Sequence, residues 1–162
     1  MVMRRDSEVH SAAELLESLG RQGFEEVGRE VPDSAPDPKR AGSAVSGGFV
    51  QPTARVPHSD PAARDRVDAL WHAEADRVRI LDSNGEFLLL ATYPGSFTRG
   101  WLRMRDSIGD HLPSRIATAS GSRDFIAVSL DGKSMCAVSA EEYEDWIVTH
   151  SFESDEDVQG GN

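Results

Sequence analysis

The strongest chemical signal in the sequence is a run of arginines. Arg99, Arg103 and Arg105 lie within seven positions of one another, and Arg115 and Arg123 follow closely. Guanidinium groups at that density suit phosphates or an acidic protein surface, both of which they contact through paired, charge-assisted hydrogen bonds. Trp101 stands among them as an aromatic anchor for a partner. Partner binding is therefore assigned to Arg99, Trp101, Arg103, Arg105 and Arg115. The charge reverses further along: Glu141, Glu142, Glu144 and Asp145 form an acidic group, and Glu153, Asp155, Glu156 and Asp157 form an acidic C-terminal stretch. That stretch is expected to screen the arginine face of its own molecule or of a second subunit.

Reactive constellations are sparse by comparison. His10, His58, His72, His111 and His150 are scattered, and no Cys/His spacing matches a zinc site, so no metal or cofactor is expected. His72 and Asp76, four apart, read as a surface ion pair. Asp110-His111 lies near Ser107, yet there is no G-x-S-x-G elbow to activate a serine. Ser120-Gly121-Ser122 reads as a loop, and no phosphate-binding glycine motif is present. The single cysteine, Cys136, falls between Met135 and Ala137 in an apolar run and reads as a buried structural thiol.

Composition narrows the class. The chain has 162 residues, which suits one domain with flanking tails, and its net charge of −11 opposes unassisted binding to a phosphate backbone. Lys39 and Lys133 are the only lysines. No apolar run is long enough to span a membrane, and the N-terminus lacks the apolar core of a secretory signal, so the cytoplasm is the expected compartment.

These residues need elements to position them. Ser11 and Glu14 have capping-box spacing for a short helix over 12–19, whose Leu15, Leu16 and Leu19 dock either on the protein itself or on a partner. Residues 31–60, rich in Pro, Ser, Ala and Gly, read as a disordered linker with Phe49-Val50 as its one apolar pair. Asp60-Pro61 opens a helix over 61–75 with Val67, Leu70 and Trp71 inward. A hairpin is expected from strands 78–81 and 86–93 around Asp82-Ser83-Asn84-Gly85, followed by a helix over 97–108. Leu88, Leu89 and Leu90, consecutive, point to a strand covered on both faces. A second hairpin spans 124–130 and 133–138 around Asp131-Gly132, followed by a helix over 140–150 capped by Ser139 and Glu142.

The sequence thus predicts an α+β fold: a mostly antiparallel sheet built from two β-hairpin-plus-helix units, with a flexible N-terminal extension. Residues 1–60 are assigned to the extension, 61–152 to the core and 153–162 to a disordered acidic tail. Trp71, Trp101 and Trp146 each anchor a helix to the sheet. The expected function is that of a small non-catalytic binding or regulatory protein with a protein partner or a homodimeric state. The first alternative is a nucleic-acid-associated transcriptional regulator using the arginine-bearing helix. The second is a small enzyme with a dispersed site around His111 and His72.

Overall fold

A computed structural model describes residues 11–152 and shows an α+β protein whose helices cover a seven-stranded, wholly antiparallel sheet. The elements in chain order are α1 (Ala12–Arg21), β1 (Phe24–Gly28), α2 (Pro38–Ser46), β2 (Ala54–Pro57), α3 (Ala63–Arg77), β3 (Glu86–Ala91), α4 (Ser96–Arg99), β4 (Leu102–Asp106), α5 (Leu112–Ser120), β5 (Phe125–Val128), β6 (Ser134–Ala140) and β7 (Glu144–Ser151). Across the sheet the strands run β1-β4-β3-β5-β6-β7-β2. The acidic tail expected over 153–162 lies outside the described residues, as do residues 1–10.

β3 lies inside the sheet between β4 and β5, and all six of its side chains are buried, which only a strand covered on both faces permits. Alternation then divides the core into two layers. Phe87, Leu89, Leu102, Met104, Phe125, Ala127, Cys136, Val138 and Ile147 meet Leu15 and Leu19 of α1, Trp71 of α3, and Leu112 and Ile116 of α5. On the opposite face Leu88, Leu90, Ile126, Val128, Met135, Ala137 and Val148 meet Ala41 and Val45 of α2, together with Trp101 and Phe152.

Local chemistry explains the elements that match expectation. Ser11 Oγ accepts the Glu14 amide at 3.2 Å and starts α1, which continues through Gly20 to Arg21. Asp60 Oδ1 accepts the Ala62 amide at 2.9 Å and sets the turn into α3, from which the Trp71 indole donates to the Cys136 carbonyl at 3.2 Å. In the β5–β6 hairpin, Asp131 Oδ1 accepts the Lys133 amide at 3.0 Å and Gly132 adopts φ +76°. A Cβ at Gly132 would lie 2.1 Å from the Ser34 carbonyl oxygen, so conformation and space both require glycine there.

Four expectations are corrected. The helix expected over 97–108 is one turn, α4, followed by Gly100 at φ +92° and then β4, in which Leu102, Met104 and Asp106 are buried and Arg103 and Arg105 are half-buried. The helix expected over 140–150 is β7, paired with β6 along its length from Ser134↔Ser151 to Ala140↔Asp145. The Ser139 hydroxyl accordingly donates to Glu141 rather than capping a helix. Both hairpin-plus-helix units therefore end in strands. The first hairpin is β3–β4, because 78–81 is the irregular exit of α3, with Arg79 at φ +57° and the Ile80 amide bonded to the Ala75 carbonyl. The Asp82 turn forms nonetheless, its Oδ1 accepting the amides of Asn84 and Glu86 at 2.8 and 2.9 Å.

The fourth correction concerns 31–60, read as a disordered linker. Asp37 Oδ1 accepts the Lys39 amide at 2.8 Å and Pro38 fills the first turn, so α2 forms there with a capped start, whereas at α3 Asp60 and Pro61 lie in the turn before the helix and Ala62 is the uncapped N-cap. After it, β2 pairs with β7 at one edge of the sheet, Ala54↔Ile147 to Pro57↔Glu144. β1 forms the other edge, paired with β4 from Phe24↔Asp106 onward. Leu15, Leu19, Phe24 and Val56 belong to the same core layer as Trp71 and Phe87, so residues 11–60 and the core are one body rather than extension and domain.

Candidate interaction surface

The arginines named from the sequence are dispersed by the fold. Arg115 is almost fully buried and grips Asp106 with two bonds of 2.9 and 2.8 Å, while its guanidinium also bonds the Gln22 carbonyl and lies 4.7 Å from the Phe24 ring centre. It ties α5 to β1 and β4 and is structural. Arg103 and Arg105 project from the same face of β4 toward Glu86: Arg103 meets it at 3.3 Å, and Arg105 reaches Glu86 at 3.9 Å and Glu25 at 3.6 Å. Trp101 is 8% exposed, and its indole donates to the Pro36 carbonyl at 2.8 Å, anchoring the chain entering α2. Arg99 alone of the five projects from an exposed position, on α4. Leu15 and Leu19 are completely buried in their own domain and Leu16 packs partly against it, so α1 is docked already.

A different surface replaces the arginine helix. Residues 38–59 contain no Asp or Glu, and neither do residues 87–105, in a chain of net charge −11. The fold brings α2 from the first stretch against α4 from the second. A Cβ at Gly42 would lie 2.9 Å from Cε1 of Phe97, and one at Gly100 would lie 4.0 Å from Cγ of Pro38. The glycine in α2 thus permits the aromatic ring to lie directly on the helix. Lys39, Arg40 and Arg99 are exposed around this contact, with Asp37 at its edge engaged in capping α2. Phe97 is 46% exposed, and Phe49, in the turn just beyond α2, is 99% exposed. Just before α4 in the chain, the Tyr93 hydroxyl is buried without a hydrogen-bond partner, in the layer of Trp71 and Phe87; burial pushes its pKa up, with the Arg99 charge opposing.

The α2–α4 surface continues to the C-terminal end of the described chain. Arg40 lies over the Phe152 ring, 5.2 Å from its centre, and Phe152 is itself buried in the α2 layer. The His150 ring meets Phe152 edge-on at 4.7 Å, and the Phe152 amide donates to the Lys133 carbonyl at 2.9 Å.

Two other polar groups were invisible as groups in the sequence. In the first, Asp68 is buried on α3; its Oδ1 accepts the Ser114 amide at 3.0 Å, and its Oδ2 accepts the Ser114 hydroxyl at 2.6 Å and meets Nδ1 of His111 at 3.1 Å. His72 Nε2 accepts the Leu112 amide at 3.1 Å. Two side chains of α3 therefore satisfy the open amides at the start of α5. Burial holds the His72 pKa below 6.5, against the pull of Asp76, Asp68 and Asp106, and the accepting role of Nε2 matches a neutral ring. Asp65 brings a third donor within 4.8 Å of Asp68 and His111, a spacing that fits a cation, but both Asp68 oxygens already hold α5.

The second group lies where β7 meets β2. Buried Asp145 meets Nε2 of His58 at 3.0 Å and Nε of Arg123 at 3.3 Å. Asp124 beside it accepts the Ala140 amide at 2.7 Å, and burial raises its pKa above 3.8. Cys136 is buried with its thiol pKa pushed up by burial, which leaves it a poor nucleophile. No helix among the described residues is long and apolar enough to cross a membrane. No family model, curated protein or solved structure matches the chain.

Proposed function

We propose that the protein is a non-catalytic binding module that acts through protein–protein contacts, with the α2–α4 layer as its contact surface. The observation that carries this is the meeting of two acid-free stretches, remote in sequence, beneath the exposed rings of Phe49 and Phe97 on a strongly acidic chain. Exposed aromatic rings beside cations suit a partner that offers carboxylates around an apolar side chain, because the rings supply desolvated contact area and the cations supply orientation. Arg99 is the member of the original arginine group that contributes, joined by Lys39 and Arg40. Catalysis by a site pairing His111 with His72 is disfavoured because His72 spends Nε2 on the Leu112 amide at the start of α5.

Regulation through nucleic acid is the second reading, and it rests on the exposed Lys39 and Arg99, since Arg103, Arg105 and Arg115 already meet carboxylates. The test is affinity capture from native cells with protein and nucleic acid quantified together, comparing the natural chain with Phe49→Ser/Phe97→Ser and with Arg99→Glu. A protein, or a second copy of the chain, retained by the natural chain and lost by both variants supports the proposal. Retention of nucleic acid that falls steeply with salt favours the second reading. Indistinguishable recoveries from all three chains overturn the proposal.

A further inference from the structure

We infer that the acidic C-terminal segment, residues 153–162, folds back over the α2–α4 surface of its own molecule and competes there with whatever that surface binds. The inference rests on the proposed role of that surface and adds its regulation. Three observations point to this occupant. The first is where the segment begins: Phe152 is buried in the α2 layer, with the Arg40 guanidinium over its ring and its amide on the Lys133 carbonyl, so residue 153 leaves the fold at the border of the surface. The second is charge: Glu153, Asp155, Glu156 and Asp157 come with no basic residue, and the surface they border draws Lys39, Arg40 and Arg99 from stretches that hold no acid.

The third observation is reach. α2 touches Phe152 through Arg40 and touches α4 through Gly42 and Phe97, so two helix widths of about 10 Å each separate the exit from Arg99. Five extended residues span about 17 Å and ten span about 33 Å. Asp155 to Asp157 therefore reach α2 with slack, and Val158 reaches the level of Phe97. A tether this short presents the carboxylates at an effective concentration on the order of millimolar, enough to occupy a surface whose intrinsic affinity for them is weak. The arginine face to which the sequence assigned this role is not available, because Arg103, Arg105 and Arg115 meet Glu86, Glu25 and Asp106.

The experiment uses the full chain with Gln159→Cys carrying a nitroxide spin label, since the natural Cys136 is buried and resists labelling. Amide signals of residues 39–46 and 96–99 are expected to broaden several-fold more than those of α3 and α5, and about 0.5 M salt is expected to reverse the effect. The same broadening should vanish in Glu153→Gln/Asp155→Asn/Glu156→Gln/Asp157→Asn. Equal broadening on both faces, or none, overturns the inference. Broadening seen only when a labelled chain is mixed with an unlabelled, isotope-enriched one also overturns it, because the occupant is then a second copy. A synthetic peptide of residues 153–162, added in trans, separates this inference from the proposal beneath it. It should bind the neutralised variant about tenfold more tightly than the natural chain. Equal binding to both leaves the surface standing and removes the tail from it. Binding to neither removes the surface as well.

Discussion

The two faces of the sheet are covered in contrasting ways. One face carries three helices, α1, α3 and α5, a wholly buried tryptophan, and polar side chains that close the start of one helix with groups from another. The other carries a nine-residue helix of mostly small side chains and a single turn, and it ends in exposed phenylalanine with Lys39 and Arg99 exposed beside it. Thick cover buries large side chains and supplies most of the stability. Thin cover lets a glycine bring an aromatic ring onto a helix and leaves that ring partly exposed, the feature on which the proposed recognition role rests.

That contrast breaks most sharply under core truncation. Trp71→Ala is expected to cost about 4 kcal/mol, the range for a fully buried large aromatic, whereas Trp101→Ala on the thin side should cost about half as much. Equal shifts in urea midpoint for the two would erase the difference between the faces. Arg115→Met leaves the buried Asp106 carboxylate without its partner and should cost about 3 kcal/mol, while Arg99→Met should stay within about 0.5 kcal/mol, both read from denaturant unfolding. Tyr93→Phe removes a buried hydroxyl that has no partner and is expected to stabilise by about 1 kcal/mol. A loss of stability there would mean that the hydroxyl is satisfied.

A pH series sharpens the comparison through Asp124. Burial raises its folded-state pKa above the ordinary 3.8, so its carboxylate lowers stability as pH rises through the folded-state value, and the penalty is absent below 3.8. Asparagine keeps an acceptor for the Ala140 amide and carries no charge. The stability of Asp124→Asn relative to the natural chain should therefore increase from acid to neutral pH, and a flat or falling difference would contradict the burial effect. Phe49→Ser gives the smallest stability effect, within about 0.5 kcal/mol, because its ring is fully exposed. Its effect should appear in binding alone.

Much of the fold was legible in the sequence. The starts of α1 and α3, the central burial of β3 and the turn of the β5–β6 hairpin all follow from side chains acting on their immediate neighbours. β4 was obscured because Leu, Met and Arg are good helix formers and the spacing of Trp101, Leu102 and Met104 suits either period. In β7 the acidic run suggested a helix start, yet Ile147, Val148 and Thr149, three β-branched residues in succession, were the better signal. α2 was hidden by its small residues, although Asp37-Pro38 repeats the pair recognised at Asp60-Pro61. The arginines were grouped on a helix for the same reason as β4 was: on a helix Arg99 and Arg103 share a face, but in a strand Arg103 and Arg105 do, beside Glu86. The acid-free stretches 38–59 and 87–105 were each visible in the sequence, whereas their contact depends on tertiary packing.

Both edges of the sheet come from the early part of the chain, and their partners come later: β1 pairs with β4, and β2 pairs with β7, the last strand among the described residues. During synthesis the segment around Ala54 has no sheet neighbour until Ile147 has left the ribosome. Closure of this fold thus depends on pairing strands far apart in sequence, and long-range pairings of this kind slow folding. Loss of even the last strand would leave Val56 and the edge beside it without a place to pair.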